Sequence, residues 1–316
     1  MDRPGTMPRR FALCVLLGLA SGPLLAQQEA DTSYVPPIDT PAWPSGRGPV
    51  VAIDQGHSNF HTAGGRYRPF AAVLRRDGYT VRPAPGPIGP KTLAGIRVLV
   101  VANALGTVPE GEDTSASAFT SAEVGHVRRW VEGGGSLLLI ADHMPFPGAA
   151  RSLAAAFGFE LTDGFAVPAS GEPDAVVFSR AAGTLRGHAI TEGVDSVVSF
   201  TGAAFTGNGA TPILVFGRGT LNLLPRKPWE FDGSTVRRPA DGWWQGAVKE
   251  VGKGRVAVFG EAAMFTAQLA GPGHYPVGMN HAAASQNVHL LRNLLRWLAR
   301  AGDGAPGSRS EPGGRT

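Results

Sequence analysis

Val50-Val51-Ala52-Ile53-Asp54-Gln55-Gly56-His57-Ser58-Asn59-Phe60-His61-Thr62 is an apolar run that stops abruptly at a cluster of polar side chains able to do chemistry. An unalternating run of β-branched and apolar residues fits a strand buried on both faces, as in a parallel sheet covered by helices. Ligands of such sheets sit beyond the carboxyl ends of the strands. Asp54, His57 and His61 therefore fall where a site is expected.

Working outward, strand and helix alternate. Gly64-Gly65 precede a helix with Pro69 in its early turn and Phe70, Val73 and Leu74 on its apolar face, closed by Asp77-Gly78. Residues 79–82 and 96–102 read as the next strands, the second ending in Asn103 at the same edge as the Asp54 loop. Thr120-Ser121-Ala122-Glu123 has capping-box spacing and opens a helix through Val127 and Val131, stopped by Gly133-Gly134-Gly135. Residues 136–140 form a fourth strand that delivers Ala141-Asp142-His143-Met144-Pro145, and a helix follows over 149–157. This order implies parallel strands joined by crossovers. From about 160 to 252 the pattern changes to short β-like runs that either extend the sheet or build a cover over it. Residues 254–259 are a further buried strand ending at Glu261, residues 262–270 continue as a short helix, and residues 286–300 make an amphipathic helix.

The ends of the chain read differently. Residues 1–26 have the pattern of a secretory signal, with Arg9 and Arg10 before an apolar core and small residues near Ala26, which implies a periplasmic or secreted protein. Gly18, Gly22 and Pro23 make this stretch short for a span that needs roughly 20 apolar residues, so no stable membrane insertion is expected after cleavage. Residues 27–48 form a Pro-rich leader, residues 49–301 the α/β domain, and residues 302–316 a tail with almost nothing to bury, read as disordered. Roughly 260 residues suffice for one large α/β domain or two small ones.

Composition excludes several functions. Cys14, the only cysteine, lies in the signal, so the mature chain has no thiolate ligand, nucleophile or disulfide. Of the formal charge of +4, Arg3, Arg9 and Arg10 against Asp2 account for +2, which leaves +2 and no electrostatic case for nucleic acid. Neither Gly64-Gly65 nor the triple glycine has dinucleotide or Walker spacing, so no nucleotide cofactor is expected.

Three strand ends present ionisable groups at one edge: Asp54, His57 and His61; Asp142 and His143; and Glu261. Two chemistries suit them. A divalent metal such as zinc would draw on His57, His61, Asp142 and His143 and leave a position open for water. A metal-free acid/base site would use His57 or His143, oriented by Asp54, Asp142 or Glu261. The structural alternative is that these groups pair with one another and with backbone to organise the loops. Ser58 follows His57 without a Gly-x-Ser-x-Gly elbow and reads as a turn-capping serine. Trp229, Phe231 and Trp243-Trp244 offer either an aromatic surface for sugar rings or packing within the β-rich segment.

Asp54-Gln55-Gly56-His57-Ser58-Asn59-Phe60-His61-Thr62, Ala141-Asp142-His143-Met144-Pro145-Phe146, His188-Ala189-Ile190-Thr191-Glu192-Gly193 and Gly260-Glu261-Ala262-Ala263-Met264-Phe265 together carry a resemblance. The chain resembles uncharacterised secreted bacterial proteins of the class I glutamine amidotransferase-like superfamily, related to trehalose-utilisation-like proteins. That resemblance implies a flavodoxin-like three-layer α/β sandwich with a mostly parallel central sheet and a β-rich insertion. In the amidotransferases a cysteine occupies the strand-to-helix elbow, with a histidine and a glutamate after the late strand. Here the elbow holds Asp142-His143 and the late strand ends in Glu261, so glutaminase activity is not expected. The expected function is an exported hydrolase-like enzyme on a small or carbohydrate-type ligand, working through Asp54, His57, Asp142, His143 and Glu261. The alternative is a non-catalytic envelope domain that binds a glycan or partner.

Overall fold

The computed structural model describes residues 28–106, 116–169 and 175–300, so the stretches read as a signal and as a tail lie outside the described residues. The strands that form the sheet's middle are β1 (Val50–Asp54), β2 (Thr80–Ala84), β3 (Val98–Ala102), β4 (Ser136–Ile140), β5 (Trp244–Val251) and β6 (Gly254–Phe259). They lie in the order β2-β1-β3-β4-β6-β5, and every pairing from β2 to β6 is parallel. β5 then runs antiparallel to β6. The result is a mixed α/β fold whose sheet is parallel over these five strands, β2 to β6 in that order, and antiparallel beyond them.

Alternating residues explain the two packed faces. Val51, Ile53, Val98, Val100, Leu138 and Ile140 point into one core with helices α1 (Arg68–Arg76) and α4 (Asn287–Ala299). Ala52, Leu99, Val101, Leu137 and Leu139 point the other way, against α2 (Ser121–Glu132) and α3 (Phe146–Ala155). A strand buried on both faces has no reason to alternate apolar with polar, which is why these strands read as continuous apolar runs. α2 starts as its sequence predicts: Thr120 accepts from the Glu123 amide and the Glu123 side chain accepts from the Thr120 amide.

The segment between α3 and β5 both extends the sheet and builds on it. Phe159–Leu161, Phe205–Gly207 and Thr211–Val215 join the sheet beyond β5. Phe165–Pro168, Thr220–Leu224 and Val236–Pro239 form a separate antiparallel sheet. The helix expected over 262–270 is a single 3-10 turn at Ala263–Phe265 followed by a strand, Ala267–Ala270. That strand pairs with Tyr275–Gly278 on one side and Gln28–Ala30 on the other, so neighbours distant in sequence decide its conformation. Residues 28–48 are also tied to the fold where the Ala42 amide and the Arg292 guanidinium both donate to buried Asp77. Among the described residues no helix is long and apolar enough to cross a membrane.

Candidate functional site

The carboxyl ends of β1, β3, β4 and β6 lie side by side and carry Asp54, Asn103, Asp142 and Glu261. At the first of these the loop folds back on the strand's last side chain. Asp54, fully buried, accepts from the Gly56 amide at 3.2 Å and from Asn59 Nδ2 at 2.9 Å, and His57 Nδ1 lies 2.9 Å from its Oδ2. Gly56 is required by close approach: a Cβ there would sit 2.1 Å from the Gly86 carbonyl oxygen.

The other ring nitrogen of His57 lies 3.0 Å from Glu123 Oε1. Ionised carboxylates only accept, so an imidazole bonded to one on each side donates from both nitrogens and is a cation. Burial lowers the His57 pKa, but the bonds and charges of Asp54, then Glu123, outweigh it and leave it raised. Burial raises the Glu123 pKa, yet the Thr120 and Ile88 amides, the Thr120 hydroxyl and His57 pull it down to about 2. Glu123 thus serves α2 as its capping-box partner and the Asp54 loop as an anchor. The capping spacing revealed only the first role.

The second wall is built on β4 and β6. The Asp142 amide donates to Asn103 Oδ1 at 3.0 Å, and its carboxylate accepts from the His143 amide at 2.8 Å and the Ala262 amide at 3.4 Å. Glu261 is fully buried and accepts from the Ala263 and Met264 amides, each at 2.7 Å. Burial and then the adjacent Asp142 charge push the Glu261 pKa well above the ordinary carboxylate range, against those two amides. Gly202, at φ +132°, lets the neighbouring chain touch this turn, since a Cβ there would lie 2.2 Å from the Gly260 carbonyl oxygen. His143 Nδ1 is 2.8 Å from the Met144 carbonyl oxygen. A carbonyl only accepts, so Nδ1 carries the proton and, in the neutral ring, Nε2 holds the free lone pair.

His143 also sits in an aromatic group. It stacks on Phe165 with ring centroids 4.9 Å apart and meets Trp229 edge-on at 4.6 Å. Phe165 in turn touches Trp229 at 4.8 Å and Phe231 at 5.1 Å. Trp229 and Phe231 remain 45% and 43% exposed, so their rings are open to a ligand. The tryptophans divide: Trp243 packs on the core and Trp244 lies edge-on to Phe205, away from this group.

The structure therefore distributes the candidate residues over two walls. Asp54 and His57 join Glu123; Asp142 joins His143 and, through charge, Glu261. Among the described residues no hydrogen bond or ion pair links the first group to the second, and Asn103 stands between them, its carbonyl accepting from the Phe60 amide. His61 is buried beside Tyr67, with neither ring nitrogen hydrogen-bonded; burial, then Arg66 and His143, lower its pKa to about 3. Of the four side chains considered as metal ligands, His57 belongs to the first wall and Asp142 and His143 to the second, while His61 is buried beside Tyr67 within electrostatic reach of His143. Both nitrogens of His57 are engaged by carboxylates, and no group of three or more His, Cys, Asp or Glu among the described residues is placed to hold a metal ion.

No protein-family model matches this sequence, and neither does any curated protein. Solved structures are similar to it. The N-terminal domain of mmIFT52 matches 79% of this chain and 97% of its own at 13% identity, with a TM-score of 0.54. The cytoplasmic protein STM3548 from Salmonella typhimurium matches 79% of this chain and 98% of its own at 14% identity and TM-score 0.46. A ThuA-like protein from Bacteroides uniformis matches 84% and 94% at 12% identity and TM-score 0.42. At these identities a likeness speaks to the fold alone.

Proposed function

We propose that this protein is an exported, hydrolase-like enzyme acting on a carbohydrate-type ligand at the carboxyl edge of its sheet, with His143 as the acid/base group. The observation that carries this reading is the position of His143. Its Nδ1 is held by the Met144 carbonyl, which leaves Nε2 as proton acceptor in a ring that meets half-exposed Trp229 and stacks on Phe165, the ring that Phe231 also touches. Aromatic faces of this kind bind the apolar faces of sugar rings. In hydrolysis, Nε2 takes a proton from the attacking water as the scissile bond breaks and returns it to the leaving oxygen. Asp142 sets the backbone of this elbow through its bond to the His143 amide. Asp54 and His57 then act as a positioning wall, because both nitrogens of His57 are already engaged. The engagement of both His57 nitrogens by carboxylates favours the metal-free acid/base reading.

The β2-β1-β3-β4-β6 order, with helices on both faces, supports the flavodoxin-like three-layer assignment and, with it, a cysteine-lacking relative of the amidotransferase-like proteins. One feature favours a second reading, non-catalytic glycan binding: both Glu261 oxygens are spent on backbone amides, as in a group that shapes a loop. A screen of aryl glycosides and aryl esters with the wild type and Asp142→Asn separates the two. Turnover by the wild type that falls in the variant supports catalysis. Sugar binding without turnover supports the second reading, and equal turnover removes Asp142 from the machinery.

A further inference from the structure

We infer that the ligand of this site is an anionic carbohydrate and that Arg237 binds its acidic substituent; the inference rests on the carbohydrate reading above. In the antiparallel sheet beside His143, Leu223 pairs with Phe165 on one side and with Arg237 on the other. Directly paired residues point to the same face of a sheet. Phe165, Leu223 and Arg237 therefore form one row on one face, and that face is fixed by Leu223 and Phe165 packing with Met144 in a single cluster.

Phe165 is the ring that holds His143, Trp229 and Phe231 together. Arg237 thus begins two strand spacings from it, about 10 Å, on the same face of the sheet. Val236–Pro239 is exposed along its whole length, and among the described residues Arg237 has no ion pair. The hairpin supplies two further cations, Arg226 and Lys227, in the connection that carries Trp229 and Phe231. Its acids are occupied nearby: Glu230 lies 3.8 Å from Lys227, and Asp232 accepts from the Ser234 amide and hydroxyl. An aromatic face with an unpaired guanidinium at its rim suits a sugar ring that bears a negative group, since the fork of Arg matches a carboxylate or sulfate oxygen pair.

Arg238 is the internal control. It pairs with Asn222, which pairs with Ala166, so it belongs to the alternate row and the opposite face. A generic positive surface would use both arginines; the assigned site uses one.

The test is the affinity of the mature protein for polygalacturonate, dextran sulfate and neutral dextran, by calorimetry at low and at 0.3 M salt. We expect an acidic polymer to bind at least tenfold tighter than dextran. Arg237→Gln and Trp229→Ala should each lose at least tenfold, while Arg238→Gln stays within twofold, with all variants confirmed folded at the assay temperature. The two acidic polymers show whether the anion is a carboxylate or a sulfate ester, and preference for either supports the inference. Equal binding of dextran and the acidic polymers overturns it while leaving a sugar site in place. Equal losses in Arg237→Gln and Arg238→Gln overturn it as diffuse charge attraction, and no binding of any polymer overturns it outright. Acidic-polymer binding by a protein that hydrolyses nothing sustains the inference and removes the hydrolase reading.

Discussion

His57 Nε2 lies 3.0 Å from Glu123 Oε1, joining the loop after the first central strand to the first turn of a helix that begins more than sixty residues later. With Asp54 on the other nitrogen, a buried cation is shared between two buried carboxylates. Removing one member of such a group leaves uncompensated charge in a dry place, which costs about 3–5 kcal/mol.

This relationship gives a pH signature. The folded pKa of His57 is raised above its unfolded value near 6.5, so the stability it contributes is fully present below about pH 6.5 and is lost as pH rises through the folded value. His57→Gln should therefore unfold more easily than the wild type by about 3 kcal/mol at pH 6, with a smaller gap at pH 9. Urea unfolding of both proteins at the two pH values checks this. A gap that is the same at both removes the charged form of His57 from the account.

His61 behaves with the opposite sign. Its folded pKa of about 3 lies below the unfolded value, so folding releases a proton and stability falls as pH drops below about 6.5. At pH 5 that penalty is about 2 kcal/mol. Neither ring nitrogen has a partner to lose, so His61→Leu should stabilise the protein by about 1 kcal/mol at pH 8 and more at pH 5. Denaturation midpoints at the two pH values measure it; a less stable variant at both would contradict this reading of His61.

The two kinds of tryptophan should separate cleanly. Trp244→Ala removes a ring packed edge-on to buried Phe205 and should cost about 3 kcal/mol. Trp229→Ala removes a ring that is 45% exposed and should cost under about 1.5 kcal/mol while weakening sugar binding. Paired thermal melts and binding titrations test this, and a Trp229 variant that melts early but binds normally would make Trp229 a packing residue.

Much of the fold was legible because its strands are buried on both faces. Val50–Asp54, Val98–Ala102 and Ser136–Ile140 read as apolar runs, and the Thr120–Glu123 spacing marked a helix start that the backbone then uses. What stayed hidden depended on pairing across long distances. Ala267–Ala270 is a strand because residues 28–30 and 275–278 lie on either side of it, and a local apolar pattern there is equally compatible with a helix. The strand ends Asp54, Asp142 and Glu261 could be placed at one edge from sequence. Their division into two walls could not, because it depends on Asn103 standing between them and on Glu123, whose capping role concealed its bond to His57. Trp229 and Phe231 gave no periodic signal, since they sit in a hairpin connection whose position over His143 is set by the pairing of Leu223 with Phe165.

In the proposed function, acid/base chemistry at this edge belongs to His143. Hydrolysis of aryl glycosides by the wild type and by His143→Gln, at matched folded concentration, measures it directly. Turnover by the wild type is expected, with a loss of at least about 100-fold in kcat for the variant. Equal rates in the two proteins would contradict it.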